Sequence, residues 1–300
     1  MIGRPLVLSL LAAAHVFSIP AAAQSTCGDG EPTHFVHNRS RPDLEDADRL
    51  IWLALRAALD RTCDAFGPFE IDEVGEMPPK RRAAALASGE DGINIAFLAE
   101  NRELSAHLVP VRVPVDRGLL GYRILLIRKS DQPRFAAIES LGALRAMKFG
   151  SLATWDDSAI MSANGIQVVD GNSYDGLFKM LVMGRFAAFS RSIREVAHEY
   201  GRRNLQASGL AIERHLLLHY PMPVYFWLPN TEQGRRQAER VRRGLEAMVA
   251  DGELRRMFDL AYAEQFAALD LKHRMVIELA NPLIDPDSIA DDDVTWFTPQ

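Results

Sequence analysis

The residues whose side chains are best suited to bind a ligand or take part in chemistry lie in the segment 165–191. Polar side chains cluster there around two apolar runs. They are Asn172, Ser173, Tyr174, Ser190 and Arg191. Hydroxyls, an amide and a guanidinium are hydrogen-bonding groups that can hold a ligand. The segment contains no nucleophile beside a general base, which covalent catalysis would need. These residues therefore predict a site that binds a molecule rather than one that transforms it.

The same segment alternates between strand and helix patterns. We predict a strand over 166–169, a helix over 173–183 and a second strand over 186–190. Two strands joined by one helix run parallel, with a right-handed crossover. In such sheets, ligands bind at the carboxyl ends of strands and the amino ends of helices. The polar residues therefore fall where binding is expected.

Arg191 and Tyr174 each have a second interpretation. Arg191 follows a strand whose end should face a cleft, but Glu195 lies one helical turn later and would form an ion pair with it. Tyr174, at the start of the helix, can either donate its hydroxyl to a ligand or pack on the surface. The sequence leaves both alternatives open.

The first residues have the pattern of a secretory signal peptide. Arg4 supplies a positive charge, residues 6–16 are mostly apolar but too short to span a bilayer, and 21–23 form a small-residue cleavage site. A buried N-terminal helix is the alternative. The pattern predicts a soluble exported protein that loses residues 1–23 by cleavage near Ala23.

Composition limits the partners and the cofactors. A formal net charge of −6 argues against nucleic acid as a partner. The eight histidines and two cysteines show no metal-binding spacing, so no metal or other cofactor is expected. In an oxidising compartment Cys27 and Cys63 are expected to pair, and two free thiols are the alternative.

Strands alternate with helices along the chain, which predicts an α/β fold. The 300 residues exceed the usual size of one hydrophobic core and indicate two domains. Two apolar strands, over 118–127 and 220–228, lie where the chain would cross from the first domain to the second and back.

Three motifs, taken in order, resemble the type II periplasmic solute-binding proteins of ABC uptake systems, in the branch related to polar amino-acid binders. The first is R-x-x-x-L-x-x-G at 82–89, followed by I-x-I at 93–95. The second is Y-x-x-L-F-x-M-L-x-x-G-R-x-x-A at 174–188. The third lies within 244–258 and consists of G-L at 244–245, D-G at 251–252 and Phe258. Their order and spacing are more specific for the fold than for a ligand.

The resemblance implies two lobes that close by a hinge around a small ligand, with a membrane permease recognising the closed form. Lobe one would comprise residues 24–118 and 224–270, and lobe two 119–223, followed by a C-terminal extension over 271–300. A monomer in the periplasm is expected.

The resemblance also implies site residues. Arg102 matches the arginine that grips the ligand's carboxylate, although Phe97 replaces the small hydroxyl residue of the same segment. The lobe-two loop that holds an anion begins at Ser151 and includes Thr154. Trp155 follows, and it is expected either to stack on the ligand or to cover the loop.

Arg191 lies near the family's aspartate, which pairs with the ligand's ammonium group. An arginine there would repel an ammonium and attract an anion, so an ordinary α-amino acid is not expected as the ligand. Arg41, with His37 and Arg39 after the first strand, is a candidate for the rim of lobe one; solvated loop charge is its other interpretation.

Three functions are compatible with this pattern. The leading hypothesis is a periplasmic protein that captures a small polar anion, an organic acid or acidic amino acid, for an ABC-type uptake system. The alternative is a sensory or adaptor module that signals to a membrane partner. An enzyme on the same fold, using Asp156, Asp157 or His198, is the third, and no motif supports it.

Overall fold

The computed structural model describes residues 27–28, 30–40, 45–285, 289 and 296–299. The expected signal peptide and Arg41 lie outside the described residues. Within the described part of the chain, no helix is long and apolar enough to cross a membrane.

The described residues form strands and helices in an alternating order. The strands are β1 (Thr33–Arg39), β2 (Phe69–Glu76), β3 (Ala96–Ala99), β4 (Leu108–Val111), β5 (Tyr122–Arg128), β6 (Lys148–Ser151), β7 (Gln167–Asp170), β8 (Ala188–Ser192), β9 (Leu210–Ile212), β10 (Leu216–His219), β11 (Val224–Pro229) and β12 (Met275–Glu278). The helices are α1 (Glu45–Asp60), α2 (Cys63–Phe66), α3 (Pro79–Ser88), α4 (Arg102–His107), α5 (Gln132–Ala136), α6 (Leu141–Leu144), α7 (Asp156–Ala163), α8 (Tyr174–Val182), α9 (Ile193–Arg202), α10 (Glu232–Ala250) and α11 (Glu253–Leu269).

Two small sheets form the first lobe. β1 and β2 pair in parallel, and β3, β11 and β4 form an antiparallel sheet with β11 in the centre. Asn94 joins the sheets, because its N–H donates to Val36 O and its side-chain oxygen accepts from Val36 N at 2.8 Å. α1 and α10 share one core with these strands. They pack so closely that a Cβ on Gly244 would lie 2.1 Å from Ala58 O.

A seven-stranded sheet forms the second lobe, in the order β12-β10-β5-β8-β6-β7, with β9 beside β5. β7 and β8 flank β6 and run parallel to it. This is the strand–helix–strand unit predicted over 166–190, although β8 begins two residues later than expected, at Ala188. Ser173 caps α8, its hydroxyl accepting from Gly176 N at 3.1 Å. The predicted α/β class is confirmed.

The chain passes between the lobes at two neighbouring crossings, one before β5 and one before β11. In the first, the buried carboxylate of Asp116 accepts hydrogen bonds from the N–H groups of Gly118 and Leu120, each at 3.0 Å. A Cβ on Gly121 would lie 2.1 Å from Tyr220 O. Glycine therefore lets the two crossings pack backbone against backbone.

Both crossing strands begin later than the sequence predicts. β5 begins at Tyr122, because Asp116 holds the preceding residues in a turn. β11 begins at Val224, after Pro221 and Pro223, which lack the N–H that a strand ladder needs.

Cys27 and Cys63 form a disulfide, with their Cα atoms 5.1 Å apart. This separation is usual for such a bond. It joins the N-terminal segment of the described chain to the first residue of α2.

Candidate functional site

The two lobes meet where strands end and helices begin. On lobe two, α7 begins after β6, and α9 begins after β8; on lobe one, α4 begins after β3. Asn101, at the start of α4, lies close enough to Asp156, at the start of α7, to lower the pKa of its carboxyl against the larger effect of burial, which raises it. Arg194 of α9 lies 3.0 Å from Asp48 of α1. This region, called the interlobe cleft below, is where a ligand of this type of fold is expected.

Arg191 is buried in lobe two, and its charge is matched by two glutamates of α9. Its Nε and Nη2 atoms donate to Glu199 at 2.8 and 2.6 Å, and Nη2 lies 2.7 Å from a Glu195 oxygen. Burial opposes the charge, but Glu195 and Glu199 raise the pKa of Arg191. The structure therefore shows the ion pair that was the alternative to ligand binding, and adds a second glutamate to it.

Three aromatic rings surround Arg191. Its guanidinium carbon lies 5.2 Å from the ring centre of Trp155, 5.4 Å from that of Tyr174 and 5.1 Å from that of Phe189. The Tyr174 hydroxyl donates to Glu199. Trp155 and Tyr174 therefore lie together beside Arg191, as the sequence suggests. Their rings pack on the Arg191 guanidinium, however, and not on a ligand group.

The other predicted residues lie in different environments. Ser151 and Ser190 are only 2% and 4% exposed, and neither hydroxyl has a hydrogen-bond partner among the described residues. Thr154 is exposed in the loop before α7. Arg102 donates from Nη2 to Ile284 O at 2.9 Å. Of this set, the two serine hydroxyls have the clearest capacity to bind a ligand group.

Arg82 is a cation near the cleft that the sequence did not single out as a site residue. It lies in α3, on the face that carries the buried Ala85 and Leu86. Its Nη1 donates to Phe97 O at 3.3 Å, and its guanidinium carbon lies 4.9 Å from the Phe97 ring centre. Its Nε is buried and has no hydrogen-bond partner among the described residues.

Burial lowers the pKa of Arg82 to about 10, because the guanidinium has lost water that the protein replaces only in part. Asp48 attracts the charge and Arg194 repels it. The adjacent Arg81 is exposed and pairs with Asp91 at 3.2 Å. Arg82 therefore remains a partly compensated cation, whereas Arg81 is an ordinary surface residue.

The position of Arg82 on its helix was the signal that could have identified it. Residues 82, 85 and 86 recur at helical spacing, and the last two are apolar. A charge on the apolar face of a helix needs a partner when the helix docks.

A second ion cluster joins the lobes near the first crossing. Besides its contact with Asp48, Arg194 lies 3.7 Å from Asp116. Burial opposes the charge of Arg194, but Tyr262 and the two aspartates raise its pKa. Burial raises the pKa of both aspartates against the attraction of Arg194. Both carboxylates are therefore already engaged by a cation of the chain itself.

A third buried group fastens α7 to both crossings. Arg123 Nε donates to the Tyr220 hydroxyl at 2.6 Å, and its Nη2 donates to Asp157. The Tyr220 hydroxyl also donates to Asp157. Asp157, one of the residues considered for catalysis, therefore already has two partners in the structure.

One group of described residues has the geometry to hold a metal ion, and it lies away from this region. His34 Nδ1 is 3.4 Å from Glu70 and 3.5 Å from Asp72. All three residues are exposed and lie toward the amino ends of β1 and β2. They have no part in the interlobe cleft.

Comparison with solved structures shows the fold. The chain is similar to the GluR0 ligand-binding core in complex with L-glutamate, at a TM-score of 0.54 and 14% identity, over 78% of this chain and 99% of that one. It is similar to a periplasmic His/Glu/Gln/Arg/opine family-binding protein from Silicibacter pomeroyi in complex with lysine, at 0.54 and 11%, over 77% and 97%. A histidine kinase sensor domain with similarity to periplasmic binding proteins matches at 0.51 and 11%, over 75% and 93%.

No protein-family model and no curated protein matches the chain. The structural neighbours nevertheless cover most of its length and nearly all of their own. The chain has the two-lobed α/β fold of type II periplasmic binding proteins, as its sequence resemblance implies.

Proposed function

We propose that the protein binds a small anionic solute, an organic acid in particular, in the interlobe cleft. The observation that carries the proposal is Arg82, a half-buried cation whose Nε has no hydrogen-bond partner among the described residues. Arg191, which the sequence favoured for this task, is a weaker candidate because two glutamates already match its charge.

Arg82 has the chemistry to hold a carboxylate. A guanidinium presents a planar fork of donors that matches the two carboxylate oxygens. The Phe97 ring and carbonyl hold the guanidinium in place before a ligand arrives. An anion would both neutralise the buried charge and accept a bond from Nε, and each of these offsets part of the cost of burial.

Two buried hydroxyls supply further donors on lobe two. Ser151 and Ser190 lie on neighbouring strands, each one residue beyond the paired Gly150 and Phe189. α7 and α9 begin shortly after these strands, and the N–H groups at the amino end of a helix favour negative charge. These features support an anion as the ligand.

The cleft favours an organic acid over an α-amino acid. Two carboxylates near Arg82 and Arg194, those of Asp48 and Asp116, already lie against Arg194. An α-ammonium group would have to displace that arginine to pair with either of them. Two structural neighbours were solved in complex with L-glutamate and with lysine, but these ligands belong to the neighbours and do not identify the ligand of this chain.

We infer a role in uptake through an ABC-type permease, with export directed by the predicted signal peptide. The similarity to a histidine kinase sensor domain favours a sensory role as the second candidate. Uptake of the labelled solute by cells lacking the gene separates the two. Lost uptake supports transport, and normal uptake with a lost transcriptional response to the solute supports sensing.

A thermal-shift panel of matched compounds tests the class of ligand. A ligand at a hundredfold its Kd stabilises by about 2.7 kcal/mol, which raises Tm by roughly 4–5 °C for a chain of this size. We expect this shift with dicarboxylates such as succinate and glutarate, and none with their diamides. Equal shifts with acid and amide, or a shift with lysine alone, would contradict an anionic ligand. We expect the solute to be recovered unchanged after incubation.

A further inference from the structure

We propose that the C-terminal extension is a strap that ties the two lobes together at the cleft, with Arg102 as its anchor on lobe one. The strap comprises residues 271–285, which leave α11, join the sheet of lobe two and then return to lobe one. The proposal concerns opening of the empty protein, so it does not depend on which solute binds.

The first part of the strap belongs to lobe two. β12 pairs in parallel with β10 and extends the seven-stranded sheet. Arg274, just before β12, is buried and donates to Glu213 O at 2.6 Å and to Leu216 O at 3.0 Å. After β12, Asn164 binds both backbone groups of Ala280, at 2.8 and 2.9 Å. These bonds fix residues 274–280 to lobe two.

The second part of the strap binds lobe one. The Arg102 N–H donates to Leu283 O at 3.0 Å, and its Nη2 donates to Ile284 O at 2.9 Å. The Ile284 side chain is buried. The three residue-to-residue steps from Ala280 to Leu283 can span at most about 11 Å when fully extended. The lobes can therefore move apart only slightly at this point before a hydrogen bond of Asn164 or Arg102 to the strap must break.

The anchor lies where the lobes meet. Arg102 follows Asn101, whose side chain lies close enough to Asp156 of lobe two to act on the pKa of its carboxyl. The arginine that the family resemblance assigns to a ligand's carboxylate therefore holds two backbone carbonyls of the strap in this chain.

The described end of the chain fastens the first crossing independently. Phe297 N donates to Arg117 O at 2.8 Å, and Arg117 Nη2 donates to Trp296 O at 2.7 Å. The Tyr122 hydroxyl donates to Phe297 O at 3.1 Å. The Phe297 ring stacks on Phe266 of α11 at 4.8 Å between ring centres. The crossing is thereby held against α11.

These attachments bias the empty protein toward the arrangement of the lobes in this structure, in which the starts of α4 and α7 lie close together. Opening the cleft must release the Arg102 bonds, so the strap lowers the population of open molecules. A protein whose lobes are already closed before the ligand arrives loses less conformational entropy on binding. It also exchanges its ligand more slowly, because the lobes must open first.

Hydrogen exchange of the ligand-free protein tests the strap. The variants are Arg102→Ala, a chain ending at Asn281, and His107→Ala as a control at the exposed end of α4. We expect the amides of 155–158 on lobe two to exchange severalfold faster in the first two variants. The control should match the wild type, and the amides of β5 and β11 should keep their protection in all variants.

Unchanged exchange at 155–158 in variants with intact β5 and β11 would overturn the proposal. Faster exchange confined to α4 in Arg102→Ala would also overturn it, because that result reports only local loosening. The shortened chain also lacks Trp296 and Phe297, which fasten the first crossing beside β5, so a loss of protection in β5 in that variant reports the crossing, and Arg102→Ala then decides alone.

Discussion

The Arg82→Ala variant is expected to bind the solute at least roughly thirtyfold more weakly than the wild type, a loss of about 2 kcal/mol. The physical reason is that the Arg82 Nε lacks a partner among the described residues, so an anion bound there would make contacts that alanine cannot replace. Stability should change little, because removing the side chain also removes the cost of burying its charge. Calorimetric titration with the strongest acid of the panel measures the affinity.

Arg81→Ala is the matched control for this prediction. It removes the same charge from the adjacent position of the same helix, but Arg81 is exposed and pairs with Asp91. An ion pair at the exposed surface contributes little to stability, so both affinity and stability should remain close to the wild type. Equal loss of affinity in both variants would indicate a general effect of charge and would exclude Arg82 as the specific contact.

The Arg191→Ala variant is expected to lose about 3–5 kcal/mol of unfolding free energy, the usual cost of breaking a buried ion pair. Glu199 is fully buried and would be left without its cation, and Glu195 would lose one of the arginines that surround it. The rings of Trp155 and Tyr174 would lose the group they pack on. Denaturant unfolding measures the effect as a lower midpoint at constant slope.

Two further variants make this result specific. Arg191→Lys keeps the charge without the planar fork, so an intermediate loss of stability is expected. Arg243→Ala removes an exposed arginine paired with Glu239 and should cost at most about 1 kcal/mol. An Arg191→Ala protein that is as stable as the wild type, yet no longer binds the solute, would contradict this structural role and indicate that Arg191 contacts the ligand.

Local patterns carried most of the information that the sequence offers about the fold. The strand–helix–strand unit over 166–190 is encoded by apolar periodicity and by Ser173, whose capping bond spans only three residues. The start of β5 was misplaced because residues 118–121 are apolar while their conformation is set by Asp116. Apolar character predicts burial, and here the buried residues form a turn.

The candidate site was less predictable because its contacts join distant parts of the chain. The pairing of Arg191 with Glu195 follows from a spacing of four residues, but Glu199 lies eight residues away and depends on how α9 packs on β8. The environment of Arg82 depends on Phe97 and Asp48, which tertiary packing brings close. No spacing rule connects such residues.

Arg102 shows the limit of a family resemblance. Its residue type matches a ligand-binding position, but the partner that it has in this chain, the carbonyl of Ile284, belongs to the C-terminal extension, far along the sequence. A motif identifies the position of a side chain in a fold, and a segment outside the motif can still change what that side chain contacts.

Native mass spectrometry of the full chain purified from a bacterial periplasm tests the central claim most directly. The account predicts that wild-type protein releases a small carboxylate without an amino group, and that Arg82→Ala protein prepared in the same way releases none. A basic or neutral amino acid, retained equally by the wild type and by Arg82→Ala, would contradict both the anionic class of the ligand and the role of Arg82.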